Sequence, residues 1–139
     1  MNRLVIAIDN DSAILDLIED VLSTEGYSLR RGSLQQLNVH DIQRDHPEFV
    51  ILEMPPFASD DTIAFLGQLR ACLATKPIPV IVESTDVRLL EALAEPLHQL
   101  GCITLEKPFD LDQLLAIISQ ANRPHGFEWL MEPPVWLKS

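Results

Sequence analysis

Phe49-Val50-Ile51-Leu52 is an unbroken apolar run that ends in one carboxylate, Glu53, and is stopped by Pro55 and Pro56. A strand that is apolar at every position has no face to offer water. That is the condition of a central strand in a parallel sheet covered by helices on both sides. Proline cannot donate to a strand ladder, so the pair bounds the run. Glu53 then falls at the strand's carboxyl end, the edge on which open α/β sheets gather their polar chemistry.

The same pattern recurs along the chain. Leu4 to Ile8 is a second apolar run and leads into Asp9-Asn10-Asp11. Val80-Ile81-Val82, framed by Pro77 and Pro79, leads into Glu83-Ser84-Thr85. Cys102 to Leu105 follows Gly101 and leads to Lys107-Pro108-Phe109. Tyr27 to Arg31 is a weaker strand signal that suits a sheet edge.

Between the strands, apolar residues return at helical spacing. The first helix carries Ile14, Leu15, Leu17, Ile18, Val21 and Leu22, with Ser12 as its expected cap and Gly26 as its stop. Ser33 is expected to open a second helix through Leu34, Leu37 and Ile42, ending before Pro47. Asp60 or Asp61 is expected to cap a third, with Ile63, Phe65, Leu66 and Leu69. A fourth starts at Asp86, and Pro96 is expected to end or kink it. Asp110 caps a fifth through Leu111, Leu114, Leu115, Ile117 and Ile118.

Five strands alternating with five helices predict an α/β fold: a five-stranded, doubly wound parallel sheet in a three-layer α/β/α sandwich. Residues 1–122 form the expected domain. Residues 123–139, with Trp129 and Trp136 around Pro133-Pro134, read as an appended tail that folds back onto the body or docks on a partner.

Twenty-one acidic against ten basic residues give a net charge of -11, which opposes phosphate-backbone contact and sets nucleic-acid binding aside. Cys72 and Cys102 stand far apart in apolar settings and are expected as buried thiols of a reducing compartment. The N-terminal apolar run is too short for a signal segment or a membrane span, so a cytoplasmic protein is expected. The four histidines, His40, His46, His98 and His125, show no ligand spacing with Cys or acids.

The strand ends bring Asp9, Asn10, Asp11, Glu53, Ser84, Thr85 and Lys107 to one edge of the sheet. Acids, a hydroxyl and a lysine around a strand-end carboxylate are the kit for handling a phosphoryl group on that carboxylate. The acids hold a divalent cation, the carboxylate is the nucleophile, and the hydroxyl and ammonium take the phosphoryl oxygens.

On these marks, from Leu4 to about Asn122, the chain resembles the CheY-like response-regulator receiver domains of two-component signalling. The motifs that carry the resemblance are the acidic turn after the first strand, Pro47-Glu48-Phe49-Val50-Ile51-Leu52-Glu53, Pro79-Val80-Ile81-Val82 followed by Ser84, and Lys107-Pro108-Phe109. The resemblance implies a flavodoxin-like fold, a phosphoacceptor at the position of Glu53, a phosphoryl pocket at Ser84, Thr85 and Lys107, and a Mg²⁺ site at Asp9, Asn10 and Glu53.

The departures from the family pattern set the functional expectation. Glu53 stands where the family has aspartate, and its extra methylene carries the carboxylate about 1.5 Å further into the pocket. Asn10 replaces the second metal acid, Thr104 replaces an aromatic, and the loop after Glu53 is one residue short. Displacement of that order is costly for transfer chemistry. The expectation is an atypical pseudo-receiver: a non-enzymatic interaction module that is not phosphorylated, requires no cofactor and binds Mg²⁺ weakly or not at all.

Its expected partners are proteins: a histidine kinase, an output protein or a second copy. The contact face is expected over the fourth helix, fifth strand and fifth helix (Asp86–Leu97, Cys102–Leu105, Asp110–Ala121), with no nucleic acid and no membrane. The alternatives are a phosphorelay receiver with weakened Mg²⁺ binding and a small-ligand domain of the same topology. The latter lacks a glycine-rich first turn.

Overall fold

The computed structural model describes residues 3–33, 36–55 and 59–121. The strands are β1 (Arg3–Ile8), β2 (Tyr27–Gly32), β3 (Phe49–Glu53), β4 (Val80–Ser84) and β5 (Cys102–Glu106). They form one parallel sheet in the order β2-β1-β3-β4-β5. The fully apolar runs of β1, β3 and β4 occupy the three central positions, and β2, the weak signal, lies at an edge, as the sequence predicts. β1 has β2 on one side and β3 on the other, so the winding reverses direction at β1 and the sheet is doubly wound, a CheY-like flavodoxin fold.

The helices are α1 (Ser12–Thr24), α2 (Val39–Asp45), α3 (Ser59–Ala71), α4 (Val87–Ala92), α5 (Ala94–Gln99) and α6 (Leu111–Ala121). Side chains alternate across a strand, and the core divides accordingly. Val5, Ala7, Phe49, Ile51, Ile81 and Leu105 pack under α1 and α6, against Leu15, Ile18, Leu22, Leu114 and Ile118. Ile6, Ile8, Val50, Leu52, Val80 and Val82 pack under the other helices, against Ile42, Leu66, Leu69, Leu90 and Leu97.

Several expected boundaries move. Asp11, not Ser12, caps α1, its carboxylate accepting from the backbone N–H groups of Ala13 and Ile14. The second helix starts at Val39 and not at Ser33, because Asn38 and Asp41 form a reciprocal capping box there. Asp60 and Asp61 lie inside the first turn of α3, where they face its positive dipole end. The fourth helix is two helices that meet at Leu93. Pro96 neither ends nor kinks it: the proline sits third in α5, where a helix has no partner for its N–H. So α6 takes the place of the expected fifth helix, with Asp110 and Gln113 bonding reciprocally at its start.

The cysteines are free and half-buried, not fully buried. Cys102 lies beside Arg70, and burial pushes its thiol up to about 11 against the pull of that guanidinium. Arg70 itself reaches from α3 to the carbonyls of Leu100, Lys76 and Ile78 at 2.6, 2.9 and 2.7 Å. It thereby ties α3 to the segment before β4 and to the end of α5. Trp129, Trp136 and the loop residues 56–58 lie outside the described residues.

Candidate functional site

Continuing the alternation past the strand ends builds the site. Asp9 lies two residues beyond Ala7, Glu53 two beyond Ile51, Glu83 two beyond Ile81 and Lys107 two beyond Leu105. Each predecessor packs under α1 and α6. A period of two therefore places all four charged side chains on one face, at one edge. The register adds a direct juxtaposition, because Glu53 and Glu83 are paired neighbours on β3 and β4.

Lys107 lies at the centre. Its Nζ is 2.6 Å from Asp9 Oδ2, 3.0 Å from Glu53 Oε2 and 3.6 Å from Glu83 Oε1. The Lys107 side chain is 5% exposed and those of Asp9 and Glu83 are 0% exposed, against 22% for Glu53. This is a nearly dry cluster with one side open to water at Glu53. An ammonium carries three donors, and three carboxyl groups surround it.

The turn after β1 fixes two of the acids, buried Asp9 and part-exposed Glu53. The Asp11 backbone N–H donates to Asp9 Oδ1 at 2.8 Å, and the Asn10 backbone N–H donates to Glu53 Oε1 at 3.2 Å. Asn10 is exposed. It meets Glu53 through its backbone N–H, and it is the Lys107 ammonium that bridges Asp9 and Glu53. Both acids of the expected Mg²⁺ set thus spend an oxygen on Lys107, and the third member offers a hydrogen-bond donor. As placed, these groups satisfy the Lys107 ammonium and one another. Among the described residues, no group of three or more His, Cys, Asp or Glu side chains is disposed to hold a metal ion.

Ser84 is buried and already engaged: its hydroxyl donates to the Met54 carbonyl at 3.0 Å and accepts from the Asp86 backbone N–H at 3.1 Å. It therefore pins the segment after β3 to the start of α4, while Asp86 caps that helix through Leu89. Thr85 and Thr104 are exposed.

Glu83 is the member that sequence reasoning missed. No N–H or O–H of another described side chain or backbone group bonds to either of its oxygens, and both are buried. Burial, and then contact with the Asp9 carboxylate, push its acid up to about 9, with Lys107 opposing. At neutral pH Glu83 is therefore a carboxylic acid beside the Asp9 carboxylate. Burial alone would raise Asp9 too, but its bonds to Glu83, Lys107 and the Asp11 backbone outweigh burial and hold it below the usual range. Burial would lower Lys107, yet the bond to Asp9 and the proximity of Glu83 and Glu53 raise it. The overlooked signal is the alternation itself: Glu83 breaks an otherwise apolar face at the depth where Asp9 and Glu53 stand.

No protein-family model matches the chain. Among curated proteins, the sporulation initiation phosphotransferase F of Bacillus subtilis (strain 168) is 28% identical over 117 residues, covering 82% of this chain and 89% of the relative. Among solved structures, the Vibrio cholerae chemotaxis protein CheY4 superposes with a TM-score of 0.69 at 18% identity, over 87% of this chain and 99% of its own. The Brucella abortus NtrX structure in complex with ATP gives 0.71 at 24% identity over 88% of this chain. There the chain spans only 27% of NtrX. No helix among the described residues is long and apolar enough to cross a membrane.

Proposed function

From a chain that is a CheY-like receiver domain of two-component signalling, we propose a signalling module that works through protein contacts and takes up no phosphoryl group. One observation carries this reading: the Lys107 ammonium is bound at 2.6 Å to Asp9 and 3.0 Å to Glu53, so acceptor, acid and lysine satisfy one another. A phosphoryl group at residue 53 would have to break that set, and the glutamate carboxylate already reaches the lysine. Ser84 adds to it, because its hydroxyl is committed to the Met54 carbonyl.

On this reading the module is not an enzyme, works in the cytoplasm and requires no Mg²⁺. Its partners are a histidine kinase, an output protein or a second copy, met over α4, α5, β5 and α6. The break at Leu93 makes the α4–α5 part of that face two short helices, so the surface offered there is this chain's own.

The test is titration with Mg²⁺ and beryllofluoride, followed through amide chemical shifts around Glu53, Ser84 and Lys107. No response from folded protein is expected. Saturable, Mg²⁺-dependent shifts at those residues would overturn the reading. They would establish instead a phosphoacceptor, the reading favoured by the 28% identity to a phosphotransferase.

A further inference from the structure

Among the described residues, three large apolar side chains stand exposed: Leu17 on α1, Leu111 at the start of α6, and Leu73 just past the end of α3. Two of the three belong to one surface. Arg31 of β2 bonds Asp16 and Glu19, so that flank of α1 faces the β2 edge of the sheet. At 3.6 residues per turn, Ile14 and Leu17 then lie on the opposite flank, toward α6. Both helices run antiparallel to the strands on one face of the sheet, α1 on β2 and α6 on β4 and β5. The rotation that carries α1 from its buried stripe to Asp16 therefore carries α6 from Leu114 and Ile118 to Leu111 and Leu115, toward α1. Leu17 is 38% exposed and Leu111 50%, while Ile14 and Leu115 are half-buried against the core. These four line an apolar cleft between the first two turns of α1 and of α6. Exposed apolar side chains that cluster mark a contact surface, whereas a lone one such as Leu73 needs no explanation.

The chain carries a segment that suits this cleft. Residues 122–139 hold both tryptophans of the protein, with Phe127, Leu130, Met131 and Leu137 around Trp129 and Trp136. Arg123 and Lys138 balance Glu128 and Glu132, so the segment is neutral and residues 1–121 carry the whole net charge of -11. A second body would bring that same charge to the cleft and be repelled, and the segment brings none. Its reach also agrees. The 11 residues of α6 span about 16 Å, and at about 3.3 Å per residue the five residues 122–126 suffice to retrace them. Phe127 and Trp129 can then stand level with Leu111 and Leu115.

We propose that residues 127–137 return along α6 and seat Trp129 and its apolar neighbours in this cleft, over Leu17 and Leu111. Seating one indole there removes roughly 150–250 Å² of apolar surface from water and covers both exposed leucines at once. The segment is thus a built-in cover, which any protein docking between α1 and α6 must displace. The inference does not depend on whether residue 53 takes a phosphoryl group.

Both tryptophans lie in the segment, so intrinsic fluorescence reports on it alone. Emission of the 139-residue chain is recorded over a range of protein concentrations, with acrylamide as quencher. The proteins are wild type, Leu17→Gln with Leu111→Gln, and Leu73→Gln, the last altering an exposed leucine past the end of α3, which packs on the other face. Wild-type emission should be blue-shifted and protected from acrylamide relative to the urea-unfolded chain, equally at every concentration. The double variant should lose both the shift and the protection, and Leu73→Gln should keep both. Unfolded-like emission from folded wild type would overturn the proposal, as would protection that survives the double variant or is lost in Leu73→Gln. Protection that appears only as concentration rises would overturn it too, since one copy would then be covering another. A second measurement needs no substitution: the indole rings of wild type should show nuclear Overhauser contacts to the methyl groups of Leu17 and Leu111. Indole contacts to other methyl groups alone would overturn the proposal, whatever the variants give.

Discussion

Replacing Glu83 by methionine should stabilise the fold, and the gain should grow with pH. The sign follows from linkage. Glu83 titrates at about 9 in the folded protein against an ordinary 4.5, so between those values the native state holds a proton that the unfolded state has released. Stability is therefore greatest at or below pH 4.5 and falls as pH rises toward 9. Each pH unit inside that window costs the native state about 1.4 kcal/mol, so between pH 5 and 8 the wild type should lose at most about 4 kcal/mol. Lys107, held 3.6 Å away, is part of what sets the value of 9, so its contribution is already counted. Asp9 acts in the opposite sense, since its lowered acid gives stability that is lost only as pH falls below the ordinary 3.8. Lys107, raised from 10.5, matters only above the window.

Urea denaturation followed by far-UV circular dichroism at pH 5, 6, 7 and 8 measures this directly. With a slope of about 2 kcal/mol per molar, the wild-type midpoint should fall by as much as roughly 2 M across the series. Glu83→Met should show little of that fall. It should match wild type to within about 1 kcal/mol at pH 5 and exceed it by several at pH 8, because methionine of similar volume removes the buried group whose proton the native state must hold. Glu83→Gln supplies the control for volume, since it removes the titration and keeps the shape. Parallel curves for wild type and Glu83→Met over the whole range would refute the assignment of the proton to Glu83.

Three further outcomes follow from the same structure. Lys107→Met removes the cation from Asp9, Glu53 and Glu83 and should cost about 3–5 kcal/mol at pH 7, with much of it recovered at pH 5; a loss under about 1 kcal/mol in urea would contradict the cluster. Arg70→Lys cannot reproduce a fork that reaches three carbonyls, and should lower stability by about 2 kcal/mol without changing the fold seen by circular dichroism. The thiols should react unequally with a disulfide reagent at pH 8. Cys102 is pushed up to about 11 by burial, while hydrogen bonds from the Ala74 backbone and then the Thr75 side chain lower Cys72, so Cys72 should react at least about tenfold faster.

The sheet was legible because its signal is redundant. Each central strand is an apolar run closed by a polar end, and each such end falls on the same edge once the strands are parallel. Helix starts were less legible, for identifiable reasons. Ser33 offers a cap, but Asn38 with Asp41 offers two reciprocal bonds and sets the start of α2. Pro96 looks like a stop until its place in the first turn of a separate helix is seen, where a missing N–H costs nothing. Asp9, Glu53 and Lys107 were predicted to converge and do. Thr85 was expected beside them and is exposed. Glu83 was read with Ser84 and Thr85 as the polar end of its strand and left out of the converging set, although parity sets it on the same face as Asp9 and Glu53.

That parity also bears on charge. With Glu83 a protonated acid, the carboxylates of Asp9 and Glu53 and the ammonium of Lys107 leave the cluster at a net of -1. A phosphoryl group would add about -2. The four side chains hold no second cation to offset it, and Asn10 supplies no acid to recruit a divalent one. Two like charges 4 Å apart repel by about 4 kcal/mol at the effective dielectric of a protein surface. Such a pocket suits the ammonium it already contains better than an anion from a donor. The proposed reading then predicts where control must lie. If the strand-end edge is closed from within, regulation of this module acts through what docks on its helices, and variants of Lys107 or Glu83 should alter partner binding only as far as they alter the fold.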